Sequence, residues 1–330
     1  MQRLIFGFAV LMSLSIGCTE DAPLEPNTDD VDENPEISST TEEIVYASDQ
    51  GGKFDIWRRH EETESRITIL DGESWWPRIS EDKTKLLYYH SEIQVVDVND
   101  YSSAGLWVMD TDGENRKEII PANANGWEQH GFANWSPDGN RIVMCAIDPE
   151  IGNWQLYTTD AAGNDIVRVS RDSEASYFDP VFSPDGLSIA CIRQPAGFED
   201  TDVTRYEVYL IDIETGVETR ITTNNHRDHH PDFSSDGSKI VFESLTEADY
   251  LGIGKWSLME VDVASKEQSV LLQDENINIF PRYTKDDQAI YYNQVDLTSF
   301  NLRIARLSLE TGTFSYLTEP DFNAMNVDPF

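Results

Sequence analysis

The residues best equipped for chemistry in this chain are histidines set among acids and aromatic rings. His226-Arg227-Asp228-His229-His230 offers imidazoles at close spacing, and His130 directly follows Gln129. His130, His226, His229 and His230, joined by a carboxylate such as Asp179 or by Gln129, are candidate ligands for a divalent cation, although their spacing matches no established metal motif. Asp110-Thr111-Asp112-Gly113 has a calcium-like start but lacks the rest of a calcium loop, and it has the composition of a turn. Aromatic and polar residues form a second set: Trp75, Trp76, Phe132, Tyr177, Phe178, Asn278 and Phe280. Rings with interspersed polar groups suit a sugar or a peptide side chain, and the same rings can instead serve packing. No Gly-x-Ser-x-Gly motif and no phosphate-cradling glycine loop is present, so no catalytic residue is assigned.

Apart from Asp110-Thr111-Asp112-Gly113, these candidates share a position: each stands shortly before a recurring phrase. The phrase reads Pro180-Val181-Phe182-Ser183-Pro184-Asp185-Gly186 and returns as Ala133-Asn134-Trp135-Ser136-Pro137-Asp138-Gly139 and Pro231-Asp232-Phe233-Ser234-Ser235-Asp236-Gly237. Weaker copies begin at Pro77 and Pro281, so the copies start at 77, 133, 180, 231 and 281, at intervals of 56, 47, 51 and 50 residues. A period of this size marks stacked supersecondary units. Ser-Pro-Asp-Gly supplies a tight reversal, with Pro presetting φ and Gly accepting a positive φ. Lys83 and Asp287 replace that Gly in two copies, which predicts a different turn type there. β-rich runs such as Arg141-Ile142-Val143-Met144 and Glu207-Val208-Tyr209-Leu210 complete four antiparallel strands per unit. The predicted class is all-β, a six-bladed β-propeller with four antiparallel strands per blade.

The two termini set the blade count. Glu43-Ile44-Val45-Tyr46 reads as a second strand, with Phe54-Asp55-Ile56-Trp57 and Ser65-Arg66-Ile67-Thr68 as third and fourth. The missing first strand is expected from Val327-Asp328-Pro329-Phe330, since Pro329 lies 48 residues after Pro281. The first blade is therefore closed by the C-terminal strand. In such a ring the first strands line the central channel and the residues just before each phrase sit at its mouth. The expected ligand-binding set is Trp75, Trp76, Gln129, His130, Tyr177, Asp179, His229, His230, Asn278 and Phe280. Variable loops join second to third strands (146–153, 193–205 and 243–255) and lie on the same face as that mouth.

Residues 1–17 read as a signal peptide, with Arg3 before an apolar stretch too short to span a bilayer. Leu14-Ser15-Ile16-Gly17-Cys18 resembles a bacterial lipoprotein signal, which implies cleavage before Cys18 and lipidation of its thiol. Residues 19–43 hold ten acids and no base, the composition of a disordered tether; residues 44–330 are the propeller. The formal net charge is −37, and 51 acids against 23 bases remain from 44 to 330. So negative a surface disfavours nucleic acid and anionic membrane, leaving the lipid anchor as the membrane contact. Cys145 and Cys191 fall on the second strands of neighbouring blades with a one-residue offset, which predicts opposite sheet faces and free, buried thiols.

Phrase, period and lipoprotein start together resemble the TolB-like family of six-bladed propellers over residues 44–330. Related propellers are binding platforms, peptidase halves or polysaccharide lyases. The periplasmic TolB proteins carry an α/β domain where this sequence has an acidic tether, so a comparable rather than identical role is implied. The expectation is a monomeric, exported outer-membrane lipoprotein, facing the periplasm or the cell surface, that binds an envelope protein or glycan without catalysis and without a cofactor. The alternative is an oligogalacturonate-lyase-like enzyme: some propeller lyases hold a divalent cation with His and Gln at the channel mouth.

Overall fold

Each phrase folds through the same local hydrogen bonds. At Ser136-Pro137-Asp138-Gly139 the Gly139 N–H donates to the Ser136 carbonyl (2.9 Å), and Gly139 takes φ 68°. The Ser136 hydroxyl donates to Asp138 Oδ1 (2.6 Å) and accepts from the Arg141 N–H (2.9 Å). Asp138 also accepts from the Asn140 N–H, and these bonds hold its carboxyl down at about 2. The pattern repeats with Asp82, Asp185, Asp236 and Asp286. Ser and Asp in the phrase therefore build the turn. Lys83 and Asp287 do not change the turn type: both adopt positive φ (60° and 55°) and make the same N–H bond back to Ser80 and Thr284. The hydrogen-bonded turn outweighs a left-handed penalty on the order of 1 kcal/mol.

The computed structural model describes residues 43–94, 100–197, 205–224, 226–247, 254–295 and 299–330. The expected signal peptide, Cys18 and nearly all of the acidic tether fall outside them, as do parts of two variable loops (198–204 and 248–253). The described strands form six four-stranded sheets, each antiparallel in the pairings between its described strands. The inner strands are Glu73–Ile79, His130–Trp135, Ser176–Phe182, Arg227–Phe233, Asn278–Tyr283 and Ala324–Pro329. The last pairs with Glu43–Ser48, so the chain's end completes the blade its beginning opened. We number that blade 1 and the others 2 to 6 in chain order. Its phase differs from the sequence alignment by two residues. Asp328 accepts the Ile79 N–H as Asp232 accepts the Tyr283 N–H, so Val327, not Pro329, matches Pro281. A two-residue slip preserves which side chains face the core, and the blade survives it.

The core lies between blades. Cys145 and Cys191 are buried and free, as expected, yet they share one cluster with Val143 and Ile189. Neighbouring blades pack by opposite faces, so thiols on opposite sheet faces meet in one layer.

Candidate functional site

One irregularity positions the site, and it occurs in every blade. Each inner strand carries a non-glycine residue at positive φ: Trp76 (58°), Phe132 (59°), Asp179 (51°), His230 (47°), Phe280 (54°) and Asn326 (56°). The pairing register shifts across each of them. A bulge leaves one residue unpaired and re-aims its side chain. Such strain concentrates where function or packing over-determines the backbone.

Trp76, Phe132, His230 and Phe280 gather around the channel axis, with ring centroids 4.4 Å apart for His230–Phe280 and 5.2 Å for Trp76–Phe132. The Arg78 guanidinium lies 4.1 Å from the Trp76 ring centre. The remaining space, lined by Asp179, Asn326 and Arg282 among others, is about 20 Å³, enough for about one water. Here packing wins, and the rings plug the channel.

Asp179, His229 and His230 form a buried polar cluster beside the plug. On a regular strand, adjacent His229 and His230 would face opposite sides of the sheet. Because the bulge rotates His230, both rings reach Asp179: His229 Nδ1 lies 2.8 Å from Oδ2 and His230 Nε2 3.5 Å from Oδ1. On its other side His230 Nδ1 meets Glu243 Oε1 at 3.1 Å, and Glu243 accepts the Phe280 N–H. Burial alone would raise the Asp179 carboxyl, but the His230 charge and the His229 hydrogen bond outweigh it and hold it at about 2. Burial opposes a charge on His230, yet Asp179 and Glu243 overcome that and raise its pKa above the ordinary imidazole value. His229 goes the other way, lowered chiefly by burial.

Arg227 Nε donates to His229 Nε2 (3.0 Å). Since arginine only donates, Nε2 is the acceptor and Nδ1 carries the proton given to Asp179. A cation seated among Asp179, His229 and His230 would have to displace that proton and face the nearby guanidinium. The donor set fits a proton-sharing ion cluster that ties blades 4, 5 and 6 together, and does not fit a cation cradle.

The other sequence candidates scatter. Trp75 is fully buried against Tyr89 and Tyr101, pointing away from the channel. His130 is buried, with Nε2 3.1 Å from the Pro121 carbonyl, and burial lowers its pKa to about 4. Gln129 is buried, and its carbonyl accepts the Ile147 N–H. The Tyr177 hydroxyl donates to Glu218 (2.6 Å), and Asn278 donates to Asp274 (2.8 Å). His226 stands apart from the cluster, its N–H bonded to Asn224.

Sequence reasoning missed Trp154, Tyr206, Arg227, Glu243, Trp256 and Asn326. On the face carrying the variable loops, rings follow one another from Phe132 to Trp154 (6.4 Å), Phe178 (6.1 Å), Tyr206 (6.0 Å), His229 (5.4 Å) and Trp256 (6.1 Å). Arg227 lies 4.7 Å over the Tyr206 ring. Phe132, Trp154, Phe178 and His229 in this crescent keep part of their surface in solvent beside the plugged channel, whereas Tyr206 and Trp256 are buried. Trp154 begins one third strand and Trp256 stands second in another, positions the phrase does not mark. Asn326 was readable as the residue two before Asp328, had the sixth copy been phased correctly.

The TolB beta propeller domain family matches residues 106–327. The Tol-Pal system protein TolB of Francisella tularensis subsp. tularensis is 29% identical over 216 residues, 64% of this chain and 45% of that protein. The chain thus spans about half the length of the curated relatives it matches. TolB from Acinetobacter baumannii superposes with a TM-score of 0.68 at 15% identity, over 88% of this chain and 67% of that one. An oligogalacturonate lyase from Vibrio parahaemolyticus follows at 0.57 and 14%, over 86% and 76%, a likeness of fold. With its six four-stranded sheets and that match, the chain belongs to the TolB β-propeller domain family.

Proposed function

We propose that this chain is a non-catalytic binding module of the bacterial cell envelope that holds a partner protein segment, or a glycan, on the aromatic crescent of its loop face. The observation carrying this reading is the run of rings from Phe132 to Trp256, four of them half-buried, with Arg227 stacked beside them. Rings fixed by packing at one edge and open at the other bind peptide side chains and sugars at low ordering cost. The Tol-Pal relatives support an exported, periplasm-side protein. Lipidation at Cys18 and an acidic tether would hold a monomer at the outer membrane. The excess of acids over bases argues against nucleic acid.

The test is capture of envelope proteins and a glycan array, with the wild type and a Trp154→Ala, Phe178→Ala variant. Specific capture should fall at least about tenfold in the variant, since each lost aromatic anchor costs on the order of 1–2 kcal/mol. Capture of neither class, or equal capture by both proteins, sinks the proposal.

The lyase alternative draws on likeness of fold and on the histidine cluster. It needs a cation where Arg227 and His229 already share a hydrogen bond. Purified protein is expected to hold no stoichiometric divalent metal, in the wild type as in His229→Ala. One equivalent of metal lost in that variant, with unsaturated uronate absorbance from acidic oligosaccharides, would reverse the choice.

A further inference from the structure

A cavity is present on the opposite face. Hairpin connections alternate ends along a blade, so the Ser-x-Asp-Gly turns and the third-to-fourth-strand turns share the face away from the crescent. There, between blades 3 and 4, a groove of about 510 Å³ is lined by Arg141, Thr158, Val167, Arg168, Arg171 and Ile213 among others. Asp160 and Asp165 also border it. The Asp160 carboxylate is occupied by its own hairpin, accepting the Ala162 and Asn164 N–H groups (2.9 and 2.7 Å), whereas Asp165 is exposed to solvent.

Two guanidinium groups make no ion pair at contact distance, although Arg141 interacts with Asp138 at longer range. Acids outnumber bases 61 to 24 in this chain, yet among the described residues no carboxylate lies within 4.0 Å of Arg141 or Arg171. Arg168 has only a distant partner, Asp148 at 4.0 Å. Arg171 lies against Gly216, where a Cβ would come within 2.0 Å of its Nε, so the glycine leaves room for that arginine. Arg141 reaches toward the Gly186 carbonyl (3.4 Å) and lies 5.3 Å from the Phe182 ring centre. Apolar side chains flank this charge in the open. Val167, Leu187 and Val217 are 57%, 65% and 59% exposed, and the Leu187 carbonyl accepts the N–H of Ile213 in the groove wall.

We propose that this groove is a second docking site, for an acidic peptide segment of a partner protein whose carboxylates pair with Arg141 and Arg171 and whose aliphatic side chains cover Val167, Leu187 and Val217. Charge complementarity selects the acidic partner: a guanidinium fork takes a carboxylate in a bidentate bond, and Thr158 lines the same wall. The flanking aliphatic residues select a peptide over a small anion, which would leave them uncovered. The site is independent of the crescent and goes beyond the function proposed for it.

Fluorescence anisotropy with a labelled (Glu-Val)4 peptide tests the proposal, with (Lys-Val)4, citrate and inorganic phosphate as comparison probes. The acidic peptide should bind saturably, weaken at least about tenfold in Arg171→Glu and in Arg171→Gln, and weaken with added salt. Binding should be unchanged in Phe178→Ala on the far face, so failure here leaves the crescent untouched. Arg171 is exposed, and an unchanged melting temperature will show that its variants fold. No saturable binding, equal binding by the variants, or displacement by citrate or phosphate at the peptide's own affinity would each overturn the proposal.

Discussion

His230 is held between Asp179 and Glu243, and that contact has a pH signature. Its pKa is raised on folding, so the folded protein keeps a proton that the unfolded chain releases near pH ~6.5. The resulting stabilisation is complete below that pH and is lost as pH rises through the folded-state value. Arg78 and Arg227 are cations facing the cluster: Arg78 opposes a charge on His230 and Arg227 one on His229. His230→Gln removes the proton site and leaves two buried carboxylates facing each other, for a loss of about 3 kcal/mol at pH 6. Thermal melts from pH 6 to 9 should show the wild type losing more stability than the variant as pH rises, over a background slope from buried Asp228, whose carboxyl burial raises to about 7. Parallel curves would mean that His230 is neutral in the folded protein.

At the scale of the element, the repeated turn and the inner-strand bulge treat left-handed residues differently. In the turn, glycine is the natural occupant, and Lys83 holds its place at φ 60°. The bonds made by its backbone, from its N–H to Ser80 and from Thr111 Oγ1 to its carbonyl, would persist in a glycine variant. Lys83→Gly should therefore raise stability by about 0.5–1 kcal/mol, relief of strain less the added freedom of the unfolded chain. Denaturant titration reads this as a higher midpoint at constant slope. In the bulge the side chains are what matters: the N–H groups of His230, Phe280 and Asn326 are met by Asp179, Glu243 and Asn293 of the preceding blade. Replacement by glycine there would relieve strain and lose the plug.

The whole molecule is a ring, and its clasp is the strand Ala324–Pro329. That strand pairs with Glu43–Ser48, and the Phe330 N–H donates to the Glu43 carbonyl (2.9 Å). Asp328 adds a link to two more blades, accepting the Ile79 N–H (2.7 Å) and pairing with Arg282 (2.6 Å). Deleting residues 324–330 exposes blade 1's second strand as an edge and leaves Arg282 short of a buried partner. The melting temperature should fall by more than about 10 °C, the shift expected from losing several kcal/mol in a domain of this size. A melting curve unchanged by the deletion would show that the ring does not depend on its clasp. Asp328→Ala should give a smaller loss in the same direction.

The periodic phrase was sufficient to specify six blades, the turn at the three inner hairpins that carry glycine, the free buried cysteines and the closure by the C-terminus, because each depends on local bonds or a fixed repeat. It could not say which of two adjacent residues faces the channel. Strand alternation separates Trp75 from Trp76 and His229 from His230 by face, and a left-handed bulge overrides that alternation with no residue type to announce it. Only the closed ring brought Trp76, Asp179, His230, Phe280 and Asn326 together around one axis. Only packing between blades lined up Trp154, Phe178 and Tyr206, since those contacts join strands that the repeat treats as separate units.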